Sequence, residues 1–126
     1  RKSTIAIDDF RGRPLVVNFF AAWCAPCRRE MPAFQAVYRR VKDRVAFLGI
    51  DNRDIRGDAL DLLRETGVRY PTAFDPRGEV AAAFGVLGMP TTVFIDARGE
   101  MLERYTGEMS EEQLRDTIER LFGRRG

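Results

Sequence analysis

Near the start of the chain Leu15, Val16, Val17, Asn18, Phe19 and Phe20 follow one another without apolar–polar alternation, and β-branched and aromatic types dominate. A strand with one wet face alternates, so this run reads as a strand buried on both faces, and it demands a covering layer on each side. A second run of the same kind spans 45–50 and ends at Asp51. Between the two lies a helical pattern with Met31, Phe34, Val37 or Tyr38, and Val41 on one side. Strand, helix and strand in that order imply parallel pairing and an α/β fold. Pro26 suits a first helical turn, whereas Pro32 removes a backbone donor inside the pattern and predicts a kink.

The later segments extend this scheme. Asp54 or Asp58 is placed to cap a helix carrying Ala59, Leu62 and Leu63, with Gly67 as its stop. A short strand at 72–74 leads through the turn Asp75-Pro76-Arg77-Gly78 into a brief helix at 80–84. Residues 91–96 and 101–106 read as a hairpin. Ser110 with Gln113 forms a capping box for a last helix carrying Leu114, Ile118 and Leu121, stopped by Gly123. Residues 4–10 read as a short edge strand. With 126 residues, 44% of them hydrophobic, the chain has material for a core without disulfide staples. It reads as one domain, 1–126, with no linker and no low-complexity stretch.

Two cysteines and no histidine narrow the chemistry. Ser-His and Cys-His hydrolysis, His-ligated zinc and c-type haem attachment are excluded, and Arg28 stands where the haem His would follow Cys-x-x-Cys. A net charge of +2 from 21 basic and 19 acidic residues, well mixed, describes a solvated surface. Nucleic-acid binding wants a basic stripe with interleaved aromatics, and Arg124-Arg125 is too short for one. No apolar run approaches the roughly 20 residues of a membrane span, so the domain itself is expected to be soluble. The sequence begins at Arg1 rather than Met, and a signal peptide or membrane anchor is expected upstream.

Cys24 and Cys27 stand between the first buried strand and the helix after it. There the first sulfur lies at a helix N-terminus, whose free N–H groups and positive dipole end favour a thiolate. The second sulfur, about one turn further in, is placed to attack a mixed disulfide at the first. Zinc fits poorly, since two thiolates would need carboxylates to complete four ligands. A structural disulfide is a weak staple when it spans two residues. A redox-active pair is the leading reading.

Trp23-Cys24-Ala25-Pro26-Cys27 after a buried strand, followed by Arg28-Arg29-Glu30-Met31-Pro32, resembles the active-site segment of thioredoxin-fold proteins, and more narrowly of the TlpA/ResA-like branch. Asn18-Phe19-Phe20-Ala21, Tyr70-Pro71-Thr72 with Asp75 and Gly78, and Gly85-Val86-Leu87-Gly88-Met89-Pro90-Thr91-Thr92 extend the likeness over about 5–122. The resemblance implies a thioredoxin fold, with a central mixed β-sheet flanked by helices on both faces. It also implies a TlpA-type central insertion of a helix and a strand at about 51–84. Pro90 would be a cis-proline facing the cysteines, and Met89 would offer its backbone to an extended substrate strand, unless it simply packs. Trp23 would roof the site as a substrate platform, with the core as its alternative place. Ordinary members carry a buried acid where this chain has Asn18. The resemblance therefore moves proton transfer to an acid after the second core strand, Asp54 or else Asp51, and Asp54 serves equally well as a helix N-cap.

On this resemblance the expected function is that of an extracytoplasmic bacterial thiol:disulfide oxidoreductase, a monomer with no cofactor beyond its own dithiol and no metal. It would reduce disulfides in proteins such as apocytochrome c and draw electrons from a membrane thiol carrier. The rival readings are an oxidant of secreted proteins and a binding module with a structural disulfide.

Overall fold

A computed structural model describes residues 7–123. Five strands form one mixed sheet: β1 (Leu15–Phe20), β2 (Ala46–Asn52), β3 (Thr72–Asp75), β4 (Thr91–Ile95) and β5 (Met101–Thr106), in the spatial order β3-β2-β1-β4-β5. β1 runs parallel to β2, and β2 to β3, while β4 is antiparallel to both β1 and β5. The helices are α1 (Ala25–Val41), α2 (Arg56–Thr66), α3 (Glu79–Ala83) and α4 (Glu111–Phe122). Residues Ile7–Phe10 form a 3₁₀ turn rather than part of an edge strand, and residues 4–6 of that expected strand lie outside the described residues.

All six residues of β1 are buried. On one face Val16, Phe47 and Phe94 pack beneath Phe34, Val37 and Val41 of α1 and Leu114 and Ile118 of α4. On the other face Val17, Phe19, Leu48, Ile50 and Val93 pack against Ala81, Val80 and Phe84 at α3, and against Ile7 and Phe10. The sheet is thus covered on both sides, which the unbroken apolar runs of β1 and β2 require. α1 continues through Pro32 to Val41. Gly67 ends α2 in the left-handed conformation, and Ser110 and Gln113 close the capping box at α4.

The start of α2 differs from expectation. Ile55 is the N-cap of α2 and makes no side-chain cap bond, so neither Asp54 nor Asp58 fills that role. Asp54 reaches across to the loop after β1 instead. Asp75 caps α3 from a distance, its Oδ1 accepting from the Glu79 N–H (2.9 Å) and its Oδ2 from the Val80 N–H (3.0 Å).

Gly49 sits where β2 passes closest to its neighbours. A Cβ there would come within 3.0 Å of the Phe20 ring, 3.2 Å of Thr72 Cγ2 and 3.2 Å of the Tyr70 ring. Gly49→Ala is therefore expected to destabilise the fold by about 1–3 kcal/mol, the usual cost of overpacking. Urea unfolding checks this, and an unchanged midpoint would contradict the packing described.

Candidate active site

β1 stops at Phe20, and a short turn carries the chain into α1, so Cys24 becomes the helix N-cap and Cys27 falls in the first turn. The two are joined by a disulfide with their Cα atoms 5.3 Å apart. The Cys27 N–H donates to Cys24 Sγ at 3.2 Å, and the Arg28 N–H donates to the Cys24 carbonyl at 3.2 Å. A sulfur thus occupies the place that a Ser or Asp oxygen usually takes at a cap. Once the disulfide opens, that N–H and the positive helix end favour a thiolate at Cys24. Cys24 is 5% exposed and Cys27 is 0% exposed, so an incoming sulfur meets Cys24 first. Cys27 lies inward, in a cluster with Phe20, Ala21, Met31 and Leu62.

Met89 packs on that same cluster, and the Met89–Pro90 peptide bond is cis. Trp23 is 60% exposed and so is no core residue; its Nε1–H donates to the Arg53 carbonyl at 3.0 Å. Beside it an open groove of about 740 Å³ is bounded by Ala22, Arg53, Ile55, Leu62 and Pro76. Asp54 holds the motif loop, with Oδ2 accepting from the Ala22 N–H at 2.6 Å and Oδ1 from the Ile55 N–H at 2.8 Å. Arg28 ties the same loop to α2, donating to the Ala22 carbonyl (3.2 Å) and pairing with Glu65.

Two buried acids flank this arrangement. Asp51 pairs with Phe20 in the parallel register of β1 and β2, and so shares its face of the sheet with Phe20 and Asn18, beneath α1. It is 2% exposed; burial first, and then the neighbouring Asp54, push its carboxyl up to about 8. Glu30 follows Cys27 by three residues on the buried face of α1 and is 1% exposed. Its Oε1 accepts from Asn18 Nδ2 at 2.9 Å and its Oε2 from the Met109 N–H at 2.8 Å. Burial pushes Glu30 up to about 7 against the lowering effect of those two bonds. Tyr70, buried with its hydroxyl unpartnered, has its phenol raised by burial and by Glu30.

Sequence reasoning singled out Asp54 and Asp51 but passed over Glu30. Its signal was an acid on the apolar stripe Cys27, Met31, Phe34, where a solvated residue does not belong. Among the described residues no group of three or more Cys, Asp or Glu is placed to hold a metal ion, and no helix is long and apolar enough to cross a membrane.

Residues 1–104 match the AhpC/TSA family. The chain is 29% identical over 118 residues to the thiol-disulfide oxidoreductase ResA of Bacillus thuringiensis subsp. konkukian, covering 93% of this chain and 68% of that protein. A DsbF homologue from Corynebacterium diphtheriae has a similar structure, with a TM-score of 0.84 and 29% identity over 93% of this chain and 77% of that one. A secreted Mycobacterium tuberculosis disulfide oxidoreductase, homologous to E. coli DsbE, gives a TM-score of 0.81 and 26% identity over 90% and 86%.

Two carboxyls raised by burial mean that the folded chain holds protons which the unfolded chain releases near pH 4 to 4.5. Their stabilising share is full below that range and is lost as pH rises through about 7 for Glu30 and about 8 for Asp51. Urea midpoints of the oxidised protein should therefore fall between about pH 5 and pH 8.5. Asp51→Asn should lessen the fall throughout and remove it above about pH 7, Glu30→Gln should lessen only the part below about pH 7, and a midpoint that climbs over this window would contradict the assignment.

Proposed function

Because the chain belongs to the AhpC/TSA family and is a thiol-disulfide oxidoreductase with a Cys24–Cys27 disulfide, we propose that it acts outside the bacterial cytoplasm as a disulfide reductase. The observation that carries this reading is Cys24 at the N-cap of α1, accepting the Cys27 N–H, with Cys27 buried behind it. The Mycobacterium relative described as secreted supports the location. The resemblance to the TlpA/ResA-like branch supports apocytochrome c or a similar protein as substrate and a membrane thiol carrier as electron donor. No cofactor beyond the dithiol enters the reaction.

The Cys24 thiolate attacks one sulfur of the substrate disulfide; a mixed disulfide forms and the first substrate thiolate leaves. Cys27 then loses its proton and attacks Cys24 Sγ, expelling the second substrate thiolate and closing the Cys24–Cys27 disulfide. Two electrons pass to the substrate, and the membrane dithiol returns them. Trp23 serves as substrate platform, while Met89 and cis-Pro90 present backbone to an extended substrate segment. The Cys27 proton passes to Glu30, one helical turn away, or to Asp51. Asp54, whose two oxygens hold backbone N–H groups, keeps the motif loop in place beside Asp51.

Cys24→Ser should abolish disulfide reduction, and Cys27→Ser should accumulate a substrate adduct through Cys24 that thiols release. The reduction potential, measured against glutathione, should fall in the thioredoxin-to-glutaredoxin range of roughly −270 to −200 mV. A potential near the roughly −120 mV of a strong oxidant would overturn the direction proposed.

A further inference from the structure

Arg53 is the only non-glycine residue among those described with a left-handed backbone, at φ 51°. A residue with a Cβ resists that conformation and keeps it only where its surroundings hold it. Here the Arg53 N–H donates to the Asp75 carbonyl at 3.1 Å, and the Arg53 carbonyl accepts the Trp23 indole N–H at 3.0 Å. The side chain lies over Gly78, where a Cβ would come within 2.5 Å of Arg53 Nε. Its neighbours reach the site too. Asn52 Nδ2 donates to Met89 Sδ at 3.7 Å, and Asp54 takes the Ala22 N–H. Three consecutive residues at the end of β2 therefore contact three different parts of the redox site, and Arg53 is the one that contacts Trp23.

Trp23 needs such a contact. At 60% exposure it has little core packing to choose its rotamer, and an exposed indole on a turn otherwise samples several. One hydrogen bond to a backbone carbonyl sets the plane of the ring at the edge of the groove bounded by Ile55 and Pro76. A right-handed or extended residue at 53 would point that carbonyl elsewhere.

We propose that Arg53 is a positioning residue whose left-handed backbone fixes the Trp23 indole as a rigid platform beside Cys24. It thereby sets how tightly the polypeptide around a substrate disulfide is held, and leaves the rate of sulfur exchange unchanged. This rests on the reading of Cys24 as the attacking sulfur and Trp23 as a substrate contact.

Trp23 is the only tryptophan in the chain, so its fluorescence anisotropy reports this one side chain. The probe is a synthetic peptide with one internal disulfide, reduced by the pre-reduced enzyme in single turnover. Half-saturating concentration and limiting rate are read for Arg53→Gly, Arg53→Val, Trp23→Phe and Trp23→Ala, and anisotropy for the two Arg53 variants. Glycine adopts the left-handed conformation freely, so Arg53→Gly should stay within about twofold of the wild type in every reading. The β-branched Arg53→Val should lower the Trp23 anisotropy and raise the half-saturating concentration about two- to tenfold, the worth of one hydrogen bond, with the limiting rate unchanged. Trp23→Phe keeps a ring but loses the donor, and should show the same rise without depending on how Arg53→Val folds. Trp23→Ala should rise at least as far. Wild-type half-saturation in Trp23→Ala would overturn the platform reading beneath the proposal. A raised value in Trp23→Ala with wild-type values in Trp23→Phe or Arg53→Val would overturn the role of Arg53 alone. An Arg53→Gly enzyme as impaired as Arg53→Val would assign the effect to the guanidinium and also overturn it.

Discussion

A strand with no wet face cannot slip. Shifting β1 by one residue would carry Val16, Asn18 and Phe20 from the α1 side of the sheet to the α3 side and misplace every contact on both. With β2 parallel on one edge and β4 antiparallel on the other, β1 is also held by ladders on both sides. The end of the strand is therefore a fixed point. Because α1 begins five residues after Phe20, the helix N-terminus and both sulfurs inherit that position. Met31, Phe34, Val37 and Val41 then hold the helix axis against the sheet. The redox site is placed by a strand that is buried along its whole length and paired on both edges, although its residues lie on a turn.

That dependence explains what was legible in the sequence. β1, β2, α1 and α4 were readable because each carries a strong local signal: unbroken apolar runs, a periodic stripe, a capping box. The two cysteines were readable because chemistry and position coincide in a five-residue stretch. Of the edge strand expected at 4–10, the described part, 7–10, departs from expectation for the opposite reason. Ile7 and Phe10 are apolar, yet they are three residues apart and pack together against the α3 face as a single 3₁₀ turn does, and a short mixed segment does not separate that spacing from alternation. Of the two uses open to Asp54 the cap is not the one seen: Ile55 is the N-cap of α2, and Asp54 Oδ2 takes the Ala22 N–H, 32 residues back along the chain, where a local rule does not look. Glu30 was hidden because an acid among arginines at the start of a helix reads as surface until Asn18 and Met109 are seen beneath it.

The exchange of Asn for an acid in β1 takes a different meaning once Glu30 is in view. A buried acid is still present under the first turns of α1; it comes from the helix, and the strand supplies the amide that steadies it. Asn18 Oδ1 has no hydrogen-bond partner, while Asn18 Nδ2 serves the Glu30 carboxylate. Rotating the amide by half a turn would set that oxygen to accept an O–H from protonated Glu30. The pair therefore has an arrangement suited to each state of the acid, which an Asp in the strand paired with an apolar residue in the helix would lack.

Such an acid has a cost, and the cost argues for its use in the proposed exchange. An apolar side chain at position 30 would fill the space among Tyr70, Asn18 and Met109 without a charge to desolvate, and buried polar groups are often replaced at no loss of stability. Asp51 adds a second penalty of the same sign, and both grow through the neutral range because both carboxyls lie near neutrality when folded. A proton acceptor works best when its pKa sits close to the working pH and within a few units of the donor, and a thiol ordinarily ionises near 8.5. Carboxyls at about 7 and about 8 meet that condition for Cys27, whereas solvated ones near 4 would leave the proton on sulfur. The burial that destabilises the charged acids is thus the same property that suits them to act as proton acceptors in the proposed exchange.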